Sequence, residues 1–518
     1  MKPKIIFIII GILIIFVAAF FIFSNHPPES LPKKAEQVQK GMEKWMSEGR
    51  DPSQVSAILQ EIDPLMKTGK YKEAEEILDK ALAMLESEKE IDIDENFTQT
   101  NSQFPTFKSD EMQYLIFQLF TYAPSPEGIT QPFDGKDIRK NIDDILGAVD
   151  NNRGDGNTRQ LGFSIGPLAL DHTYEELRTM IRESFKIAEE KNVAVAFHID
   201  DSMFWINRKD LWSDPKNVEW TDWDGTIHPQ RFVGWINIKL APQMCYSSPT
   251  LRAVIKHIAK DVIGAEIKKG IDELAANNKE HLFAGVIAGW ETHLADPSYI
   301  GKTDDAANNL KIVRKRIGYC SLTNSGYGAS NPPDDFDKAL EEVLNNWIDL
   351  WTNSLFLSGI PKDRIYSHIA FPPKEMFTTS FIGQIKEQTG LDDFSYSAMV
   401  GHAMPYVGFT ANARAGFSVY PSLLKANGTE ATFANIYNEL ERQGNPHWAL
   451  AEGTNTAVGS GQVGLSWEQY LTNFFAHGAS LVNIFAWQEP IDSGGPYGKA
   501  TKSKEAVEAY RKFLSGQL

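Results

Sequence analysis

The sequence predicts an α/β protein whose main domain is a (β/α)8 barrel, the TIM-barrel fold. From Gln113 onward, eight short apolar runs alternate with amphipathic stretches of helical length, which is typical of parallel strands joined by helical crossovers. A last amphipathic stretch, Lys504–Leu514, completes the eighth strand–helix unit. The alternative is a doubly wound open sheet. It is disfavoured because no Gly-rich phosphate loop follows the first apolar run.

Each predicted element has a position in the sequence. The predicted strands are Tyr114–Phe120, Leu161–Ile165, Val193–Ile199, Phe283–Ala288, Ile365–Phe371, Ala415–Val419, Trp448–Ala451 and Leu481–Ala486. The predicted helices between them include Ile138–Val149, Tyr174–Lys191, Leu251–Leu274, Phe336–Leu357, Phe433–Gln443 and Trp467–His477. The barrel would occupy about 400 residues, long for this fold, so several loops after the strands must be enlarged.

The N-terminus predicts a membrane anchor at residues 1–24. Two lysines, Lys2 and Lys4, precede the run Ile5–Phe23, which is apolar apart from one glycine and long enough to span a bilayer. Small residues of the kind found at signal-peptide cleavage sites lie inside the run instead of after it. The positive-inside rule then places the rest of the chain outside the cytoplasmic membrane. Secretion after signal cleavage is the alternative.

Between the anchor and the barrel the sequence predicts a short helical stalk. A Pro-rich linker at 25–34 leads into helical periodicity over 35–91, and a polar linker at 92–110 precedes the barrel domain at 111–518. The segment 69–82 resembles the second half of a tetratricopeptide helix pair. A single pair is no repeat array, so the stalk is interpreted as packing on a neighbouring domain or as a site for a protein partner.

Composition and charge exclude several classes of function. The chain has 51 basic and 68 acidic residues, a net charge of −17, and it has no long basic run, so a nucleic-acid partner is not expected. Two cysteines, Cys245 and Cys320, are too few for a four-cysteine zinc site. They form either one disulfide, if the domain is exported, or two unpaired buried thiols. A Ser-His-Asp hydrolase is disfavoured because no Gly-x-Ser-x-Gly motif occurs.

Two glutamates stand out at the ends of predicted strands. Glu291 follows the fourth apolar run and Glu452 follows the seventh. In a closed eight-stranded barrel the carboxyl ends of these strands face each other across the mouth, where TIM-barrel enzymes carry their active sites. Paired carboxylates across a cleft are what glycoside hydrolysis requires, one to protonate the leaving oxygen and one to attack the anomeric carbon or activate water.

Further polar and aromatic residues at the strand ends are candidates for substrate binding. They are His198, Asp200, Asp201, Trp205, Trp290, His368, Tyr420, Trp487 and Glu489. The loop after the third strand is rich in tryptophan, whose ring faces stack on pyranose rings (Trp205, Trp212, Trp220, Trp223 and Trp235). Glu489 is also an alternative carboxylate on the eighth strand. His198, Asp200 and Asp201 have a spacing that also suits a metal, but no third ligand pattern joins them, so no metal ion and no cofactor is expected.

These residues resemble the large clan of retaining (β/α)8 glycoside hydrolases, which includes β-galactosidases, cellulases and mannanases. The resemblance implies that Glu291 is the acid/base and Glu452 the nucleophile. It also implies that Tyr420 hydrogen-bonds the nucleophile and that Trp487 forms the floor of the −1 subsite. Trp290 stands where the clan usually has an asparagine, and no match to the clan's arginine near the nucleophile is found.

The sequence therefore predicts a membrane-anchored extracytoplasmic glycosidase, retaining in mechanism, whose substrate is a neutral poly- or oligosaccharide. A neutral glycan fits better than an anionic one because the loops are rich in aspartate. The alternative is a non-catalytic carbohydrate-binding TIM barrel at the cell surface.

Overall fold

A computed structural model describes most of the chain as two units, whose boundary in the sequence is Gln103–Phe104. The residues described are 30–47, 55, 59, 62–67, 70–86, 111–121, 124–125, 128–129, 133–202, 205, 207–227, 231–232, 240–294, 297–300, 311–314, 316–370, 396–420, 429–444, 447–456, 465–492 and 495–518. The predicted anchor at 1–24, the predicted linker at 92–110 and Trp235 lie outside them. Among the described residues, no helix has the length and apolarity needed to cross a membrane.

The described residues of the N-terminal unit form helices. Its helices are Ser30–Ser47, Ile62–Lys67 and Tyr71–Glu86. They bury a small apolar core made by Leu31, Val38, Val55, Leu59, Met66, Ala74, Leu78 and Ala81. Lys34 joins the first and last helices through Asp79, with Nζ 2.7 Å from Oδ2. The first helix begins at Ser30, so the predicted linker at 25–34 ends inside a helix.

The second unit contains eight parallel strands, as predicted. They are β1 (Gln113–Phe120), β2 (Arg159–Ala169), β3 (Ala194–Asp200), β4 (Phe283–Ala288), β5 (Ile365–Ser367), β6 (Gly416–Val419), β7 (Trp448–Gly453) and β8 (Ala479–Ile484). Each overlaps one predicted apolar run. The ends differ by a few residues: β7 continues through Glu452, and β8 ends at Ile484 instead of Ala486.

The strands form a closed barrel. Their hydrogen-bonded order is β5-β4-β3-β2-β1-β8-β7-β6. Parallel bridges from Tyr366 to Arg414 and from Ile369 to Phe417 join β5 to β6 and complete the cylinder. The Ile369 amide, for example, donates to the Gly416 carbonyl at 3.0 Å. The (β/α)8 prediction is confirmed for this unit, and all carboxyl ends of the strands therefore meet at one mouth.

Helices surround the strands. The longer ones are Gly135–Ala148, Tyr174–Lys191, Pro249–His257 continued by Ile258–Gly264 and Ala265–Ala276, Phe336–Leu357, Thr429–Arg442, Trp467–Ala476 and Lys504–Leu514. Shorter helical segments are Lys209–Trp212, Pro215–Asn217, Glu280–Leu282, Tyr319–Asn324, Lys362–Arg364, Tyr396–Met399, Pro405–Gly408 and Pro496–Thr501. Short antiparallel pairs lie in the loops, namely Pro124–Ser125 with Gly128–Ile129, Arg231–Phe232 with Leu240–Ala241, and Pro297–Ile300 with Lys311–Arg314.

Alternation along the strands divides the core into two layers. Inside the barrel, small residues such as Ala196, Ala284 and Ala449 leave room for the rings of Tyr114 and Tyr366. The larger layer, between strands and helices, contains the other face of each strand. Because successive side chains point to opposite faces, position within a strand decides whether a residue reaches the mouth or the helix layer.

The two cysteines form a disulfide. Cys245 and Cys320 are paired, with their Cα atoms 5.9 Å apart and a separation of 75 positions in sequence. The bridge ties the end of the long loop after β3 to the segment that follows β4. Of the two alternatives left open by the sequence, the structure therefore has the disulfide.

Candidate active site

Glu452 lies inside the barrel mouth at the end of β7. Its side chain is buried, and its Oε1 accepts a hydrogen bond from the Tyr420 hydroxyl at 2.6 Å. The Gln118 side-chain amide lies 3.4 Å from its Oε2. Burial first, and then the negative charge of Glu291, raise the pKa of the Glu452 carboxyl, while the two hydrogen bonds oppose that rise. The expected contact between Tyr420 and Glu452 is present.

Glu291 lies on the loop that leaves β4, in an unusual backbone conformation. Its φ is +54°, a region that side-chain-bearing residues rarely adopt. Gly289, two residues earlier, also has a positive φ of 104°, and a Cβ there would lie 2.5 Å from the Thr292 hydroxyl. Backbone strain of this kind concentrates at functional sites. The buried Glu291 side chain acts electrostatically on Glu452 and on Tyr420, so the two carboxylates share one site.

His198 and His368 lie beneath the carboxylates and do not reach the mouth. Both are 0% exposed, and His198 Nε2 lies 2.9 Å from His368 Nδ1. Burial lowers the pKa of His198 far below its usual value and that of His368 to about 3, so both rings are neutral. The prediction that they bind substrate is corrected, because Trp290 covers the His198 ring at 4.4 Å and 7° and the ring nitrogens have protein partners.

The neutral histidines belong to a directed chain of hydrogen bonds. An ionised carboxylate only accepts, so Gln118 must present its NH2 to Glu452 and its oxygen to His198 Nδ1, 3.3 Å away. His198 Nε2 then accepts from His368 Nδ1 at 2.9 Å, and His368 Nε2 accepts from the Ser418 hydroxyl at 2.7 Å. With this assignment of protons, each ring nitrogen of the two histidines either donates or accepts a hydrogen bond. The chain ends with the Gln118 NH2 group, which donates to Glu452.

Asp201 has a structural task that differs from the predicted one. Its Oδ2 accepts hydrogen bonds from the Thr292 hydroxyl and the Trp347 indole, both at 2.8 Å, and its Oδ1 accepts from the Trp290 amide at 3.3 Å. Its prediction as a substrate ligand is therefore corrected, because both oxygens bind the loop around Glu291. Asp200, next to it, is also buried, and its Oδ1 accepts from the Ser202 amide at 3.1 Å.

The tryptophans after β3 occupy different environments. Trp205 is only 1% exposed and its indole donates to the Pro242 carbonyl at 3.1 Å, so it packs the loop and offers no face to a sugar. Trp212, Trp220 and Trp223 are half-buried. Trp223 packs edge-on against Tyr319, with ring centres 4.9 Å apart. The prediction of a stacking role is thus corrected for Trp205.

Trp487 does not form the floor of the site. It is 5% exposed and packs at 5.1 Å on Phe117, an outward-facing residue of β1. The aromatic residue at the mouth is Phe485, directly after β8, whose ring centre lies 5.5 Å from that of Phe120 and 5.2 Å from that of Tyr497. Trp487 is assigned to the wrong layer by sequence because Ala486 has a φ of +63°, which interrupts the alternation of the strand.

Glu489 forms hydrogen bonds with the short helix that follows β8 and with the residue after that helix. Its Oε2 accepts a hydrogen bond from the Gly498 amide at 2.7 Å, and the Lys502 ammonium donates to its backbone carbonyl at 3.0 Å. The side chain therefore holds the start of the Pro496–Thr501 helix. The prediction that it binds substrate has no support from these contacts.

Three residues of the site were missed by sequence reasoning. Gln118 and Phe485 lie on the inward faces of β1 and β8, two residues after Ile116 and Asn483, so alternation along each strand was an available signal. Tyr497 had no such signal, because it lies on a short helix after the last strand. Among the described residues, no group of three or more His, Cys, Asp or Glu side chains is placed to hold a metal ion.

Comparisons with known proteins find solved structures that are similar to this chain, but no matching sequence. No protein-family profile matches the sequence, and no curated protein matches it. The catalytic domain of a β-amylase from Paenibacillus polymyxa is similar in structure, with 11% identity, a TM-score of 0.43, and coverage of 77% of this chain and 99% of that one. A GH5-4 broad-specificity endoglucanase from an uncultured bacterium has 10% identity, a TM-score of 0.38, and coverage of 81% and 98%. Endo-glycoceramidase II from Rhodococcus sp., solved as a lactosyl-enzyme intermediate, has 12% identity, a TM-score of 0.37, and coverage of 79% and 80%.

Proposed function

We propose that this protein is a retaining glycosidase of neutral poly- or oligosaccharides, with Glu452 as nucleophile and Glu291 as acid/base. The observation that carries the proposal is the pair itself. Two buried carboxylates, one after β4 and one at the end of β7, share the barrel mouth, and the charge on Glu291 raises the pKa of Glu452. Two carboxylates that repel each other favour a state in which the pair holds one proton near neutral pH, as an acid–nucleophile pair needs.

The hydrogen bonds divide the two roles. Tyr420 and Gln118 both donate to Glu452, which favours its ionised form against the effect of burial, and we infer from this that the shared proton resides on Glu291. Glu291 then gives its proton to the glycosidic oxygen as the bond to the anomeric carbon breaks, and Glu452 attacks that carbon to form a glycosyl ester. Water next attacks the same carbon and loses its proton to Glu291, which frees Glu452.

The surroundings of the pair fit a sugar ring. Phe485 and Tyr497 border the carboxylates together with Tyr420, and aromatic faces stack on the apolar faces of pyranose rings. Two carboxylates in one mouth, on a chain of net charge −17, repel an anionic sugar. A neutral substrate is therefore the better fit.

Single substitutions with kinetic rescue test the proposal. Glu452→Ala is expected to abolish turnover of all glycosides, and azide or fluoride is expected to restore part of it in Glu452→Gly. Glu291→Ala is expected to slow substrates with poor leaving groups much more than activated aryl glycosides, because only the former need a proton. Added azide should then accelerate that second variant. Glu273→Ala, a change at an exposed helical glutamate, is the matched control.

Product stereochemistry gives an independent test of the mechanism. Proton NMR of the first product formed should show the anomeric configuration of the substrate. Inversion would make Glu452 a base that activates water and would reject the covalent step. If the wild type binds oligosaccharides but releases no product, the protein is a non-catalytic carbohydrate-binding barrel instead.

We also propose that the barrel lies outside the cytoplasmic membrane, held by the N-terminal apolar run. Support comes from the length of Ile5–Phe23, the preceding lysines and the Cys245–Cys320 disulfide, since disulfides persist in oxidising compartments. The full-length protein should sediment with membranes, and protease added to spheroplasts should digest the barrel. A soluble form with a mature N-terminus near Asn25 would indicate secretion instead.

We also propose that the helical N-terminal unit contacts a protein partner, because it has an apolar core of its own. Deleting residues 1–103 should leave glycosidase activity intact and remove co-purifying proteins. If the shortened chain fails to fold, the unit belongs to the barrel domain.

A further inference from the structure

We propose that Asp201 is the positioning residue of Glu291, and that its buried carboxylate holds the backbone conformation in which Glu291 faces Glu452. The inference rests on the proposed function, because it assigns a task relative to the proton donor. It also explains why a strand-end aspartate faces the loop after β4 instead of the open mouth.

The starting point is the strain at Glu291. A residue with a side chain rarely adopts a φ of +54°, and such a conformation persists only when its surroundings enforce it. Gly289, at φ +104°, turns the chain just before it, so the backbone changes direction twice within three residues. Without restraint, the loop would relax and carry the carboxyl group away from Glu452.

Asp201 supplies that restraint from both sides. Its Oδ1 accepts from the amide of Trp290, the residue before Glu291, at 3.3 Å, and its Oδ2 accepts from the hydroxyl of Thr292, the residue after it, at 2.8 Å. One carboxylate therefore closes a ring around the strained residue. The Thr292 backbone amide does not bind Asp201; it donates to the carbonyl of His368, the residue directly after β5, at 3.3 Å.

The restraint is itself anchored to the helix layer. The Trp347 indole, fully buried on the Phe336–Leu357 helix, donates to Asp201 Oδ2 at 2.8 Å. Tyr246 stacks on Trp347 with ring centres 4.7 Å apart, and its hydroxyl donates to the His293 carbonyl at 3.0 Å. The residues on both sides of Glu291 are thus bound to one rigid group.

This arrangement predicts a particular kinetic defect. A proton donor displaced from its line of transfer loses rate only where protonation of the leaving group is needed. A group that acts through Glu291 should therefore affect poor leaving groups selectively, whereas a general loss of structure would affect all substrates equally.

The test compares Thr292→Val, which removes the hydroxyl and keeps the branched shape, with Thr292→Ser, which keeps the donor. Thr292→Val should lower kcat on a poor-leaving-group glycoside by about tenfold or more, the effect of losing a hydrogen bond to a charged group. On an activated aryl glycoside it should change kcat by less than about twofold to threefold. Thr292→Ser should restore the wild-type ratio of the two rates. Equal losses on both substrates would overturn the proposal.

A second measurement does not depend on catalysis. Amide hydrogen exchange should accelerate across residues 290–294 in Asp201→Asn. Asparagine has one acceptor oxygen, so its NH2 group must face either the Trp290 amide or the Thr292 and Trp347 donors, and one side of the restraint is lost. Unchanged exchange there overturns the proposal whatever the activity of the wild type. A wild type that cleaves no glycoside, with faster exchange in the variant, overturns the proposed function alone.

Discussion

The Tyr420 hydroxyl lies 2.6 Å from Oε1 of Glu452, across the mouth from Glu291. Burial, and then the charge of Glu452, raise the pKa of Tyr420 well above its ordinary value, so it remains a donor throughout the neutral range. Its hydrogen bond in turn lowers the pKa of Glu452 against the effect of burial. The two groups therefore stabilise the protonation states that a nucleophile and its donor need.

Tyr420→Phe should lower kcat/KM by roughly tenfold to a hundredfold, as expected for loss of a hydrogen bond to a charged group. Because that hydrogen bond lowers the pKa of Glu452, its removal should also move the acidic limb of the pH–rate profile to higher pH. Tyr366→Phe is the control, since its buried hydroxyl has no hydrogen-bond partner among the described residues. An unmoved acidic limb in Tyr420→Phe would count against Glu452 as the ionised group.

Gln118 provides the second donor to Glu452. Gln118→Met removes that donor with little change in volume and leaves His198 Nδ1 without its acceptor. The acidic limb should again move to higher pH, and the melting temperature should fall because a buried donor loses its partner. Differential scanning calorimetry and the pH profile measure the two effects. If the melting temperature falls but the acidic limb of the pH–rate profile does not move, Gln118 stabilises the fold without affecting the pKa of Glu452.

Phe485 and Trp487 are two residues apart in sequence, but Phe485 lies at the barrel mouth and Trp487 in the layer between strands and helices. Substitutions at the two positions can therefore be compared directly. Phe485→Ala should raise KM or lower kcat/KM with little effect on stability, because the ring is half-buried at the mouth. Trp487→Ala should lower the free energy of unfolding by about 3–5 kcal/mol, the usual cost of deleting a buried aromatic ring. Denaturant titration and kinetics on one aryl glycoside separate the two. The reverse pattern would restore Trp487 as the subsite floor.

The fold was predictable because strands that are buried on both faces appear in the sequence as short, continuous apolar runs. Each strand is a short apolar run, and each long crossover helix has an apolar stripe, so the predicted Tyr174–Lys191 and Phe336–Leu357 helices match the observed bounds. Glu291 and Glu452 were predicted to lie at the barrel mouth by the same logic, because each stands at or just after the carboxyl end of a buried strand.

The sequence did not predict which strand-end side chains are exposed at the barrel mouth and which are covered by other residues. His198 points inward, as its place on β3 implies, but the ring of Trp290 from the neighbouring strand end covers it. That contact joins residues 92 positions apart, and no local pattern records it. The outward turn of Trp487 likewise depends on one backbone angle, at Ala486, that side-chain periodicity does not encode.

Glu219 is a buried carboxyl outside the proposed mechanism. It is 0% exposed, and the Ser321 hydroxyl donates a hydrogen bond to it. Burial raises its pKa from the ordinary 4.5 to about 7. Ser321 is the residue after Cys320, which is disulfide-bonded to Cys245. The Glu219 carboxyl therefore lies in the contact between the loop after β3 and the segment after β4.

Glu219→Gln should make the stability of the protein less dependent on pH. A carboxyl with a raised pKa in the folded state contributes stability that is fully present below pH 4.5 and is lost as the pH rises through about 7. The free energy of unfolding of the variant, relative to wild type, should therefore increase by about 3 kcal/mol between pH 4 and pH 8, at about 1.4 kcal/mol per pKa unit. Urea titrations at both pH values measure this difference, and Glu273→Gln, at an exposed site, should show none. A constant difference across that range would mean that Glu219 has the same pKa in the folded and in the unfolded protein, contrary to its burial.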